Sequence, residues 1–305
     1  MKRKIIQIAG STQLVSLPRP WAKRNNIQRG QEVEVQEDGA KVIVYAGSDN
    51  ILEKAEIDIS DLGEMTTRCI HALYKKGVDE IRVTFKDPAI VRVVQNAIGK
   101  EAVGYEILEQ GDNYCTIKYV HGSIEEFDAV LRRTFLVLLN MASQCQDAIK
   151  LGKFESLKSV AFLEEANNRF THVCRRYLNK AGSGFEGKNG PMYTIIEELE
   201  RVADQYKYLC NTLYEIKGKS TSIDKNAFKL FVLTNDMLRI FYELFYKFEV
   251  EKLVKLKEQR NFIFAEIDKA FRRKPTYQDS WVLHHTLALS NRIFGMTGPL
   301  MILRI

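Results

Sequence analysis

Two groups of residues in this chain have types and spacings that can do chemistry. The first is cationic: Lys2, Arg3, Lys4, Arg19, Lys23, Arg24 and Arg29 all precede Glu32, the first acidic residue. Positive charge gathered at one end of a chain, with no acid nearby, suits the phosphate backbone of a nucleic acid. Arg3, Lys4, Arg19, Lys23 and Arg24 are the expected DNA contacts; the competing reading is the wetted face of a short helix. Ser11, Thr12 and Gln13 offer either further hydrogen bonds or a polar turn. The second group is acidic. Glu200 and Asp204 are four apart, so on a helix they stand one above the other. Such carboxylates hold a divalent cation or iron if other helices add ligands. The alternative is a solvated acidic edge that pairs with Arg201 or a neighbouring arginine.

The histidines fit no known di-iron spacing. That site class uses Glu-x-x-His pairs, whereas Glu165 and His172 are seven apart, and His284-His285 has no such partner. Packing or surface histidines are the expectation. No general acid–base pair is evident, and the chain is not read as an enzyme.

Composition narrows the class. The net charge is +6, too mild for a nucleic-acid coat, and 45% apolar content supports real cores. The five cysteines are scattered singly with no CxxC pair, which is neither a disulfide framework nor a zinc site and suits a reducing cytosol. No charged-then-apolar leader opens the chain, and apolar runs such as Phe135 to Leu139 fall far below the roughly 20 residues of a membrane span. A soluble cytoplasmic protein with no membrane insertion is expected.

The elements that position these residues change character along the chain. Ile5–Ile8 and Leu14–Leu17 read as strands, Pro18 and Pro20 break the ladder, and Trp21–Asn26 reads as a short helix ending before Gly30. Glu32–Val35 and Lys41–Tyr45 make a hairpin around Asp38-Gly39. So small a unit buries little apolar surface alone, which points to a homodimer or higher assembly. Next come a helix over Ser60–Lys76 stopped by Gly77, a strand at Glu80–Phe85, a helix from Pro88 to about Ile98, and strands at Val103–Glu109 and Tyr114–Val120. From Ser123 on, helices are expected near 123–150, 153–180, 190–217, 223–248, 249–273 and 279–303, because apolar residues recur at three and four, as in Ile196, Leu199, Ala203, Tyr206, Cys210 and Leu213. Glu165-Ala-Asn-Asn168 has a counterpart in Glu258-Gln-Arg-Asn261, a thin sign of two three-helix units in tandem. The aromatic stretch Phe241–Phe248 reads as core or as an interface between those units.

Two families resemble parts of this chain. Gly10-Ser-Thr-Gln-Leu-Val-Ser-Leu-Pro18, Trp21, Gly30 and Glu32-Val-Glu-Val35 resemble the AbrB/SpoVT swapped-hairpin DNA-binding domain, in the version fused to archaeal PhoU-like proteins; Pro20 departs from that pattern. Leu199-Glu-Arg-Val-Ala-Asp204 is similar to the signature of PhoU, the phosphate-uptake regulator built of two three-helix repeats, and Glu165-Ala-Asn-Asn168-Arg169-Phe170 is similar to its acidic second-helix stretch, with Asn168 where an Asp is expected. The second repeat loses the signature, since Leu289 to Gly295 carries Asn291 and Gly295 in place of the acids.

These resemblances imply a multidomain, mainly α chain. A swapped-hairpin β-barrel over 1–48 and two tandem three-helix PhoU-like bundles, 121–218 and a degenerate 219–305, flank the small α/β module over 52–120 that the alternation of strands and helices itself predicts. They imply a divalent or iron ion at Glu200 and Asp204 with Glu165 as a further ligand. The implied function is a dimeric regulator of transcription that binds double-stranded DNA and is linked to phosphate homeostasis. The alternative is a PhoU-type adaptor that contacts a phosphate-transporter ATPase, a kinase or another signalling protein.

Overall fold

The computed structural model describes residues 2–8, 10, 12–38, 40–45, 52–120, 127–180, 188–216 and 222–305. The chain divides into two compact units, residues 1–53 and 54–305.

In the first unit, strands β1 (Ile6–Ile8) and β2 (Thr12–Leu14) pair antiparallel, Ile6 opposite Leu14, and the chain turns through Gly10 at φ +76°. Pairing across that turn sets β2 two residues earlier than the alternation suggests. Helix α1 spans Arg19–Arg24. Pro20 lies in its first turn, where a missing N–H costs nothing, and the Ala22 amide donates to Pro18 O at 2.9 Å. The expected start at Trp21 is thus too late. Strands β3 (Glu34–Asp38) and β4 (Lys41–Tyr45) pair antiparallel with Asp38 opposite Lys41. Gly39 of the expected turn, and Ser11, lie outside the described residues. The two hairpins are separate two-stranded sheets. No described side chain of this unit is buried, and Ile5, Ile6, Ile8, Leu14, Val15, Val35 and Val42 are 45–66% exposed.

The second unit opens with β5 (Lys54–Asp58), a strand that no apolar run announces. Only Ala55 and Ile57 turn inward, and charged residues fill the alternate positions. Helix α2 (Met65–Lys76) ends at Gly77, whose φ of +105° makes it a left-handed stop. It begins five residues later than expected, because Ser60 is held in a turn: its N–H and hydroxyl donate to Asp58 Oδ1 at 2.9 and 2.6 Å. Then come β6 (Glu80–Thr84), α3 (Val91–Glu101), β7 (Tyr105–Gln110) and β8 (Tyr114–Tyr119). The sheet order is β5-β6-β8-β7, with β5 and β6 parallel and the other pairs antiparallel. Ile70, Ile81, Val83, Val94 and Ile117 fill its core.

The helices are α4 (Phe127–Leu151), α5 (Leu157–Ala161), α6 (Leu163–Lys180), α7 (Asn189–Glu215), α8 (Lys225–Tyr246), α9 (Val250–Arg272), α10 (Tyr277–Gly295) and α11 (Thr297–Arg304). The expected helix over 153–180 is broken at Phe162, and the last one at Met296. Residues 123–126 and the breaks at 182–187 and 218–221 lie outside the described residues. One continuous core runs through the long helices: Phe135 and Leu138 from α4, Leu199 and Tyr206 from α7, Phe231 and Phe241 from α8, and Leu289 and Ile293 from α10 are fully buried together. At about 1.5–3 kcal/mol for each large apolar side chain, this core binds the two sequence halves strongly to each other. The aromatic stretch of α8 packs into it, with the Phe135 and Phe245 rings 5.1 Å apart.

Helix α6 joins the helical layer to the sheet layer. Arg176, fully buried, donates through Nη1 to Tyr74 O (3.0 Å) and Val78 O (2.7 Å) and through Nη2 to Asp79 Oδ1 (2.6 Å). Its guanidinium lies 4.3 Å from the Tyr119 ring centre, with Tyr74 and Tyr105 also around it. Lys180 Nζ reaches both Asp79 oxygens at 2.6 Å.

The core also draws in the cysteines. Cys145 and Cys210, which sequence spacing leaves single, meet with sulfurs 3.6 Å apart between α4 and α7. Burial pushes the Cys115 and Cys174 thiols up, to about 11 and about 12. Thiolates are the reactive form, so a disulfide reagent on the native protein should titrate at most Cys69, which is half-buried, and all five thiols in denaturant. Rapid native reaction of two or more would contradict this packing.

Candidate functional site

Arg3, Lys4, Arg19, Lys23 and Arg24 are all exposed in the first unit. Arg19, Lys23 and Arg24 come from one short helix, whose last turn carries two of the three cations. The return of the chain through Asn26 (φ +49°) and Gly30 (φ +82°) brings back Arg29. Arg19, Lys23, Asn26, Gln28 and Arg29 then line one shallow hollow. Arg29 and these two amides are additions to the expected set. The signal for them is the left-handed turn needed at Gly30, which folds the segment after α1 back beside it. Cations flanked by amide groups can neutralise phosphates and hydrogen-bond to their oxygens.

Residues 6–51 match the family model for antidote-toxin recognition MazE, bacterial antitoxin. The match covers the strands, helix and cationic hollow of the first unit, and it supports the AbrB-type reading of that unit. It stops at residue 51, so the resemblance of the helical body to PhoU rests on that body's own residues. No curated protein and no solved structure matches the chain.

In the second unit the three expected metal ligands do not converge. Glu200 is taken by buried Arg175, which also pairs with Glu197, and it accepts a hydrogen bond from Thr171 Oγ1 at 2.8 Å. A neighbouring arginine therefore claims it, while Arg201 turns to Glu197 and Glu198. Asp204 is held by Lys207 Nζ at 2.8 Å. Lys207 also reaches Glu164 Oε1 at 2.8 Å. Glu164, not Glu165, faces this group, because 164, 168 and 172 share one face of α6 and 165 is about 100° away. Burial pushes the Glu164 carboxyl up, against the pull of Lys207 and Asn168.

Another cluster forms instead. His71 of α2, Glu101 at the end of α3 and His172 of α6 offer ligand atoms that all lie within 4.8 Å of one another. Among the described residues it is the one such group of three. His71 Nδ1 is 3.2 Å and His172 Nδ1 is 3.6 Å from Glu101 Oε2. Asn168 Nδ2 donates to Glu101 Oε1 at 3.2 Å and to Glu164 Oε1 at 2.6 Å. Burial works to raise the Glu101 carboxyl, but the hydrogen bonds from His71 and Asn168 and the presence of His172 outweigh it and hold it at about 2. Burial, then Arg175 and Lys75, depress His172 to about 3, so it is neutral at pH 7. His285 is a packing histidine: buried, stacked on Trp281 and bonded through Nδ1 to Gln205 Oε1 at 3.1 Å, whereas His284 is exposed.

Proposed function

We propose that this chain is a regulator that binds duplex DNA as a homodimer through its first unit, which closes as a swapped-hairpin barrel with a second copy. The observation that carries this reading is a MazE-like unit in which cations line one hollow and no described side chain is buried. Two isolated hairpins are marginal in water, and a second copy would cover the exposed isoleucines and valines. Two cationic hollows would then face one duplex. The helical body, on its resemblance to PhoU, receives a signal tied to phosphate homeostasis, and no reaction is assigned to it.

A protein partner is the second reading. Val250, Val254 and Phe262 of α9, at helical spacing, are 47–59% exposed, a surface suited to an adaptor that docks on a transporter ATPase or a kinase. The description of the matched family, toxin recognition, likewise concerns a protein target.

Sedimentation and fluorescence anisotropy on a mixed-sequence duplex separate the two. The expected result is a dimer whose affinity falls steeply with salt, log K against log[salt] having a slope of about −0.9 per phosphate neutralised. Inorganic phosphate added to the complex then tests the proposed signal. A monomer that fails to bind at low salt would leave the adaptor reading.

A further inference from the structure

The buried polar groups between α2, α3 and α6 include two atoms with no hydrogen-bond partner, one on His172 and one on Asn168. His71 Nε2 lies 2.9 Å from Ala97 O. A carbonyl only accepts, so this nitrogen carries a hydrogen, and Nδ1, 3.2 Å from Glu101 Oε2, faces that carboxylate either with a second hydrogen or with a lone pair that a shared cation can take. His172 sits between two carboxylates, with Nδ1 toward Glu101 and Nε2 3.7 Å from Glu200 Oε2. His172 is 2% exposed, and its Nδ1 is buried with no hydrogen-bond partner. Asn168 Oδ1, one turn before it, is in the same state.

We infer that His71 Nδ1, Glu101 Oε2 and His172 Nδ1 bind a divalent first-row transition-metal ion such as Zn²⁺. Ligand bonds of about 2.1 Å in a tetrahedral site place neighbouring ligand atoms about 3.4 Å apart. The two separations found here, 3.2 and 3.6 Å, bracket that value. A cation gives the buried His172 Nδ1 the partner it lacks and can take the place of the proton between His71 Nδ1 and Glu101. The outer nitrogens face acceptors of the kind that orient a metal-binding imidazole: a backbone carbonyl at 2.9 Å for His71 and, at 3.7 Å, the Glu200 carboxylate for His172. Two imidazoles and one carboxylate form a borderline-soft donor set, which favours zinc or iron over calcium and magnesium. Glu101 keeps 18% of its side chain exposed, so an ion and a water as fourth ligand have a way in. Glu200 thereby stands outside the ion as a positioning group rather than as a ligand. The three ligands come from 71, 101 and 172, so the ion would pin the sheet layer's two helices to α6.

The test uses the full chain, stripped with a chelator and dialysed. Zn²⁺ titrated against a competing chromophoric chelator should show one ion per chain. Co²⁺ should give the intense visible d–d bands of a low-symmetry site with nitrogen ligands. Glu101→Gln and His172→Gln should each weaken Zn²⁺ binding by on the order of a hundredfold or more, and Glu200→Gln by about tenfold. Circular dichroism shows which variants fold, and the wild-type Co²⁺ spectrum decides the matter if none does. A stripped wild type that binds no Zn²⁺ and stays colourless with Co²⁺ overturns the site, leaving a hydrogen-bonded packing cluster. So does binding that is unchanged in folded Glu101→Gln and His172→Gln.

Discussion

Arg176→Ala is expected to lower the stability of the second unit by about 3–5 kcal/mol, the usual cost of removing one partner of a buried ion pair. The side chain is fully buried and places three hydrogen bonds on groups that have little or no water: the Tyr74 carbonyl in the last turn of α2, the Val78 carbonyl just after it, and Asp79. Lys180 still neutralises Asp79 after the substitution, and Gly77 N–H and the Tyr105 hydroxyl still donate to Tyr74 O and Val78 O, which holds the loss to the lower end of that range. The cavity beneath Tyr119 adds to the cost. In a unit of this size the melting temperature should fall by on the order of 10 °C. Arg176→Lys should recover little, since one ammonium cannot span two carbonyls and a carboxylate from the same position. Thermal melts of the intact chain, followed by near-ultraviolet circular dichroism, check this. A shift of a degree or two for Arg176→Ala would mean that the joint between α6 and the sheet layer is held by apolar packing alone.

The second large effect concerns affinity. Replacing Arg19, Lys23 and Arg24 together by Ala should weaken duplex binding at moderate salt by at least about tenfold. It should also make the salt slope shallower by about 1 for each phosphate left without its cation, hence by about 3 per protomer. The weakening should be nearly equal for all duplex sequences, because phosphates carry no base information. None of the three side chains is buried, so the fold should be unaffected. Arg29→Ala alone, taken from the same hollow, should reduce the slope by about 1. A triple variant that binds as tightly as wild type, with the same slope, would remove α1 from the interface and weaken the DNA reading as a whole.

These two cases also show what a linear sequence reveals and what it hides. The exposure of the α1 cations is legible because no acid stands near them in the chain to pair with, and that is a property of the linear sequence. Gly77 and Gly152 are legible as helix stops because a left-handed residue is a local matter. Strand β5 is not, since Lys54-Ala-Glu-Ile-Asp58 presents only two inward residues and acquires its identity by pairing with β6. Arg175 and Arg176 defeat composition altogether. Neighbours on a helix diverge by about 100°, so one enters the acidic face of α7 and the other the sheet layer, and both are buried. The same divergence displaces Glu165 in favour of Glu164. Glu200 and Asp204 do lie one turn apart on α7, as their spacing implies, but nothing local reveals that Arg175 and Lys207 would claim them. His71, Glu101 and His172 are 30 and 71 residues apart along the chain, and only tertiary packing gathers them.

No described side chain of the first unit is buried, and on the proposed dimer this has a consequence for abundance. A unit whose described side chains all lie at least partly exposed has little folding free energy of its own, so if a second copy supplies its interior, as proposed, its order would follow the law of mass action and not an intrinsic melting point. The number of ordered units would rise with roughly the square of chain number at low abundance. Dilution would disorder it while residues 54–305, with their own cores, stay intact. Gene dosage and synthesis rate would then set the output directly, giving the cell a threshold that requires no ligand.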